Sequence, residues 1–380
     1  MEDNIAAQKE LKRTKANPGD AEEGPEAART RLEAKIANLA LEVVEVKQDP
    51  ARRDEEALGE EQTLLAAKNG TSYLIATQNR GIEVVEGSKP LYRKTDQNSD
   101  FFNDFELSDV VYAASIDGYL ISANKKLYRK DLDEKDPYEF LGREVGSLAY
   151  SEAHNSVVVS VEGGSGLGVV DLATKKLKIL EIENGDSEAV ETKIGSFRLV
   201  GDDQEHVVAT TFDGRVLLYS LKAQKQVFGV DLNLKPEEAK NTILAVHGAK
   251  PLAFVAVKQA TDSPFATRIL VFEISVENQK LTQKASCDLL EAQIGALSAL
   301  EHAGDAGDSR ILLVGVGIEQ GLLHVFDLNL ADFGLTEHSE KRAELDEDGT
   351  LQLVKVGDAG NGFLYTGGSE AKVLHLRVVC

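Results

Sequence analysis

Gly163-Gly164-Ser165-Gly166-Leu167-Gly168 is the stretch whose spacing most suggests chemistry, because clustered glycines let backbone amides cradle a phosphate. A dinucleotide fingerprint needs a third glycine where Val169 stands, and then a helix; a P-loop needs Gly-Lys-Ser/Thr. Neither follows, and strand-like runs flank the stretch, so it reads as a flexible hairpin loop. The histidines are His154, His206, His247, His302, His324, His338 and His375, with no pair at the i, i+4 spacing of helical metal ligands. Cys287 and Cys380 lie far apart. A metal assembled from separate segments stays open beside the plainer reading of scattered strand and turn histidines. Asp346-Glu347-Asp348-Gly349 has part of a calcium loop but lacks the spaced acidic series and the later glutamate. It runs at once into Thr350-Leu351-Gln352-Leu353, so an acidic turn is expected. No nucleophile elbow or kinase signature is present. The expectation is a chain with no catalytic residue, cofactor or metal.

Two apolar groups invite binding rather than catalysis. The segment Thr95–Glu106, TDQNSDFFNDFE, sets Phe101, Phe102 and Phe105 among acids and amides. Burying each ring yields roughly 1.5–3 kcal/mol, so leaving all three in water is unfavourable. They either fold back over their own domain or anchor a partner. After Pro25 the sequence EAARTRLEAKIANLA is rich in helix formers, with Leu32, Ile36 and Leu39 at helical spacing. That stripe has the same choice between its own chain and another. Phe101, Phe102, Phe105, Leu32, Ile36 and Leu39 are the candidate partner-binding residues.

The charge constrains who the partner is. Against 42 Lys and Arg stand 64 Asp and Glu, for a net charge of −22. Such a field repels phosphate backbones, so direct nucleic-acid binding is not expected. It favours solubility and attracts basic protein surfaces. No apolar run approaches the ~20 residues that cross a bilayer, and no N-terminal apolar segment reads as a secretory signal. Two cysteines are too few for a disulfide framework. A cytoplasmic or nuclear protein without membrane insertion is expected.

The elements that must position these groups are strands. His206–Asp231 is the clearest unit: a β-branched run, the turn Asp213-Gly214, an apolar strand through Leu221, and an outer strand from Gln226. Worn copies recur along the chain. Their third strands carry Val85, Lys130, Val170, Tyr219, Phe272, Phe326 and Leu376, at spacings of roughly 40–54 residues. Lys130 fits this series poorly. The seventh unit ends at Cys380 without an outer strand, which Leu41–Val46 can supply by pairing with Lys372–Val378.

This pattern resembles the WD-repeat (WD40-like) β-propeller family, with Tyr219-Ser220 where the Trp-Asp pair would stand. Val169–Lys176, VVDLATKK, and His324–Leu328, HVFDL, are further matches. The chain departs from the family in having no Trp and no Gly-His dipeptide opening a repeat. The resemblance implies an all-β, seven-bladed propeller over residues 41–380, closed by the N-terminal strand and preceded by a disordered tail and short amphipathic helix over 1–40. It also implies a non-catalytic scaffold subunit of a multiprotein assembly, using its loops and N-terminal extension. Two other readings stay open: an acidic carrier for a basic client such as a histone-like or ribosomal protein, and an enzyme working at the channel mouth.

Overall fold

β-Branched and aromatic runs separated by Gly, Asp and Asn turns become strands in the computed structural model, 28 of them among the described residues. The structure describes residues 40–45, 63–69, 72–77, 81–86, 89–94, 106–131, 138–141, 144–161, 166–180, 193–201, 204–240, 242–247, 251–259, 266–278, 280–289, 293–303, 309–317, 323–337, 352–355, 362–367 and 372–379. Glu42–Arg377 is one compact unit. The other groups Met1–Leu41 with Val378–Cys380, nearly all of it outside the described residues.

Strand β1 is Ala40–Glu45. Sheet I holds β2 (Thr63–Asn69), β3 (Ser72–Thr77), β4 (Gly81–Glu86) and β5 (Lys89–Lys94). Sheet II holds β6 (Leu107–Ala113), β7 (Gly118–Ala123), β8 (Lys126–Asp131) and β9 (Tyr138–Leu141). Sheet III holds β10 (Val145–Ser151), β11 (Ser156–Val161), β12 (Gly166–Asp171) and β13 (Lys176–Ile179). Sheet IV holds β14 (Ile194–Val200), β15 (His206–Thr211), β16 (Arg215–Ser220) and β17 (Lys225–Asp231). Sheet V holds β18 (Thr242–His247), β19 (Leu252–Lys258), β20 (Thr267–Ser275) and β21 (Lys280–Leu289). Sheet VI holds β22 (Ile294–Ala303), β23 (Ser309–Gly317), β24 (Leu323–Asn329) and β25 (Leu335–Glu337). Sheet VII runs β1-β28-β27-β26, with β26 at Gln352–Lys355, β27 at Gly362–Gly367 and β28 at Lys372–Val379.

The first strands of the sheets lie beside one another in sequence, β2, β6, β10, β14, β18, β22 and β26, and β26 returns to β2. The sheets therefore close into a ring. The fourth strand of sheet VII comes from the N-terminal segment, as the missing outer strand after Cys380 predicts. Supplying that strand from the other end of the chain covers an edge that would otherwise stay open to pairing.

The repeat register holds throughout. Val85, Lys130, Val170, Tyr219, Phe272, Phe326 and Leu376 pair with Tyr73, Tyr119, Val157, Val207, Ala253, Leu313 and Phe363 on equivalent rungs. Lys130 therefore belongs to the series despite its type. It is fully buried, and its Nζ donates to the Asp131 carbonyl at 2.5 Å. Every residue of β3, β7 and β11 is buried, because each of these sheets packs on both faces.

One expectation changes. Gly166–Gly168 are not loop residues but pair with Val161, Ser160 and Val159. A Cβ on Gly168 would meet Leu177 Cδ1 at 2.6 Å, so close packing is the reason for that glycine. The segment between β24 and β26 contains a short strand, β25 at Leu335–Glu337. Helix is confined, among the described residues, to a 3-10 turn at Ala114–Ile116 and one turn at Pro236–Ala239.

Candidate functional site

Phe101, Phe102, Phe105, Leu32, Ile36 and Leu39 lie outside the described residues, as do Asp346–Gly349. Among the described residues the exposed large apolar side chains are Ile179, at 49%, on outer strand β13, and Phe212, at 38%. Phe212 stands in the β15–β16 turn. That turn is set by the Gly214 amide donating to Thr211 O at 3.0 Å, with Gly214 at φ +86°. Asp213 is held below its usual range by Thr211 and Arg215, against the burial that raises it. Ring atoms of Phe212 lie 3.2 Å from where a Cβ on Gly195 would be, so the ring covers the start of inner strand β14.

A polar seam joins sheets II and III. Asp109 on β6 accepts the Val110 amide at Oδ1 and, across the joint, the Leu148 amide at Oδ2, both at 2.8 Å. Ser122 Oγ donates to Val145 O at 2.9 Å, and the Val145 amide donates to Lys125 O at 3.1 Å. Burial pushes the Asp109 carboxyl up, against the two amides and the charge of Arg198. β-Bulges at Leu107/Asp109 and Val145/Leu148 shift the register beside these bonds.

The opposite ends of the inner strands carry a second set of ties. Lys68 of sheet I bonds Asp117 of sheet II at 2.8 Å, and Tyr112 donates its hydroxyl to the same oxygen at 2.6 Å. The Lys68 contact, then the Tyr112 bond, hold Asp117 below the usual carboxylate range. Burial and then the bond to Asp117 push the Tyr112 phenol up to about 12. Onward, the Ser115 amide donates to Tyr150 OH at 3.0 Å, and the Glu152 amide to Gln204 Oε1 at 2.8 Å. Turns of sheets I to IV are thus linked in a row.

Groups with reactive potential are placed apart from such seams. His324 Nδ1 meets Glu337 Oε1 at 3.0 Å while its Nε2 is buried without a partner. Burial, then the charges of Glu337 and Asp288, push the Cys287 thiol up, away from a nucleophilic thiolate. Among the described residues no three His, Cys, Asp or Glu side chains converge as a metal site. No helix among them is long and apolar enough to cross a membrane.

Sequence reasoning passed over Asp109, Arg198 and the Lys68–Asp117–Tyr112 cluster. The available signal was charge inside apolar strands: LSDVVYA and IGSFRLV each place one charged residue where other repeats have small or apolar ones.

A closed ring of four-stranded antiparallel sheets, each packed on its neighbours, is a β-propeller. Solved structures carry the same architecture. A chain of "Crystal Structure of Mitotic Checkpoint Complex" aligns with a TM-score of 0.58 at 12% identity, covering 96% of this chain and 98% of that one. The β-propeller domain of Myceliophteria thermophila Cps50 (Swd1) aligns with a TM-score of 0.57 at 10% identity, covering 84% of this chain and 97% of that one. No family model matches the sequence. No curated protein matches it either.

Proposed function

We propose that this chain is a non-catalytic, protein-binding platform within a larger assembly, with a propeller from residue 41 onward and a binding extension over 1–40. One observation carries the reading: the second strands of sheets I to VI are buried almost throughout among the described residues, so side chains available to partners come from turns and edges. A stiff ring that presents variable loops suits recognition of other proteins. The likeness to a chain in a mitotic checkpoint complex structure supports the same reading. Phe101, Phe102 and Phe105 are the leading anchors, and the Leu32-Ile36-Leu39 stripe is the next. The expected setting is cytoplasm or nucleus.

A second reading, an acidic carrier for a basic client, is favoured by the net charge of −22. Affinity purification of the full chain from its native source, washed at increasing salt, separates the two. A platform keeps defined subunits at high salt. A carrier loses a basic protein as salt screens the contact. Recovery of the chain alone at every salt concentration overturns both.

A further inference from the structure

The outer edges of the sheets are not alike. β5, β9, β17 and β21 each shift register against the third strand of their sheet, and such bulges turn an edge away from further pairing. β13 instead keeps an unbroken ladder with β12, from Asp171↔Lys176 to Gly168↔Ile179. β25 is regular too, over three residues, with its one apolar side chain half-buried. No described strand pairs with the other side of β13. Just past its end the Leu180 amide donates to Leu167 O at 2.8 Å, which pins the strand in place.

None of the side chains of β13 is buried. Alternation places Lys176 and Lys178 on one face and Leu177 and Ile179 on the other. Leu177 lies over Gly168, where a Cβ would meet its Cδ1 at 2.6 Å. Ile179 is the direct partner of that glycine, which has no side chain to cover it, and it stays 49% exposed. Lys178 stands opposite Val169, and Lys176 opposite Asp171, whose Oδ1 already takes the Thr174 amide and hydroxyl at 2.6 and 2.9 Å. Among the described residues neither lysine is in an ion pair, whereas Lys68, Lys126 and Lys284 are matched with Asp117, Glu139 and Glu273. Two unmatched ammonium groups thus stand side by side on a regular edge, in a chain whose net charge is −22.

We infer that the free side of β13 is a docking edge for an extended acidic segment of a partner protein, added to sheet III as a fifth strand. The backbone of β13 supplies the ladder, the two lysines meet acidic residues at alternate positions, and Ile179 meets an apolar residue on the opposite face. A second copy of this edge is a poor occupant, because it would crowd ammonium groups together. This docking edge rests on the protein-binding reading above, yet a synthetic peptide tests it without any natural partner, so the two can fail separately.

The test is fluorescence anisotropy of the full chain with labelled peptides that alternate glutamate with valine, lysine with valine, or glutamate with proline. Saturable binding of the first alone is expected, weakening as salt is added. The lysine peptide is repelled by the edge, and the proline peptide lacks amides that a ladder needs. Lys176→Glu combined with Lys178→Glu is expected to weaken binding roughly ten-fold or more, since two favourable pairs become like-charge pairs. Lys176→Gln with Lys178→Gln serves, with a smaller loss, if charge reversal disturbs folding. Bound peptide should slow hydrogen exchange within Lys176–Ile179 and leave Lys225–Asp231 of sheet IV unchanged. No saturable binding of the glutamate–valine peptide overturns the docking edge, as does equal binding of either other peptide. So does an affinity that these lysine replacements leave unchanged, or protection that falls outside β13.

Discussion

Sheets II and III are joined by groups that reach across: the Asp109 carboxylate to the Leu148 amide, Ser122 to the Val145 carbonyl, and Lys125 O to the Val145 amide. Sheets V and VI meet mainly through apolar side chains. Phe254, Ile269 and Val271 pack with Leu297, Leu313 and Phe326, and the Ile294 amide donates to Thr267 Oγ1 across the joint at 3.2 Å. Apolar packing also underlies the first joint, where Leu127 and Phe140 meet Val157 and Val170. The difference lies in direction. Apolar contact supplies most of the energy but tolerates sliding, whereas bonds between fixed atoms set which rung faces which. The row of turn contacts from Lys68 to Gln204 extends this directional fastening over sheets I to IV.

The contrast is breakable by substitution. The largest effect is expected from Phe326→Ala at the V–VI joint, since the ring is fully buried. A loss of about 3–5 kcal/mol in chemical denaturation is predicted. A loss below about 1 kcal/mol would mean that this rung is a surface position.

Next comes Asp109→Ala, which strips an acceptor from two backbone amides. About 2–3 kcal/mol is expected, together with faster hydrogen exchange at Leu148 and no change at Leu297. Equal acceleration at both amides would remove the distinction between the joints. Asp109 also predicts a sign with pH. Its folded carboxyl titrates above the ordinary value, so its stabilising contribution is full below the unfolded value and is lost as pH rises through the folded one. The stability of the unaltered chain relative to Asp109→Asn should therefore fall as pH rises. A rising difference contradicts the burial of this carboxyl.

Thr267→Val removes one acceptor instead of two, so a smaller loss of about 1 kcal/mol is expected. A loss matching that of Asp109→Ala would show that sheets V and VI also depend on directional bonds. The smallest effect belongs to Asp117→Asn. This group is largely exposed, so less than about 1 kcal/mol is expected, shrinking as salt is added. Its lowered pKa makes any contribution present above the unfolded value and lost as pH falls through the folded one.

The division between what was and was not legible follows the same contrast. Apolar fastening is written in sequence: the runs around Tyr219, Phe272 and Phe326 gave both the strands and their register, because burial on two faces leaves long β-branched stretches. The strand pairing at the chain ends was legible from a missing element. Directional fastening was not. Asp109 meets Leu148 across 39 residues of sequence, and no local pattern announces such a partner. Lys130 shows the limit from the other side: its type argued against the repeat, yet its pairing with Tyr119 places it there. A long aliphatic stem lets lysine fill an apolar rung while its ammonium finds a carbonyl. Gly168 was read as loop because glycine favours turns, whereas contact with Leu177 requires it in a strand.

The claim that the ring is a platform whose connecting segments bind partners is tested most directly by replacing Phe101, Phe102 and Phe105 together with serine. Affinity purification with mass spectrometry, alongside thermal unfolding of the same protein, gives the answer. Loss of the recovered partners with an unchanged unfolding temperature is predicted. A folded triple variant that still recovers every partner, or one that unfolds because the three rings are packing elements, would contradict it.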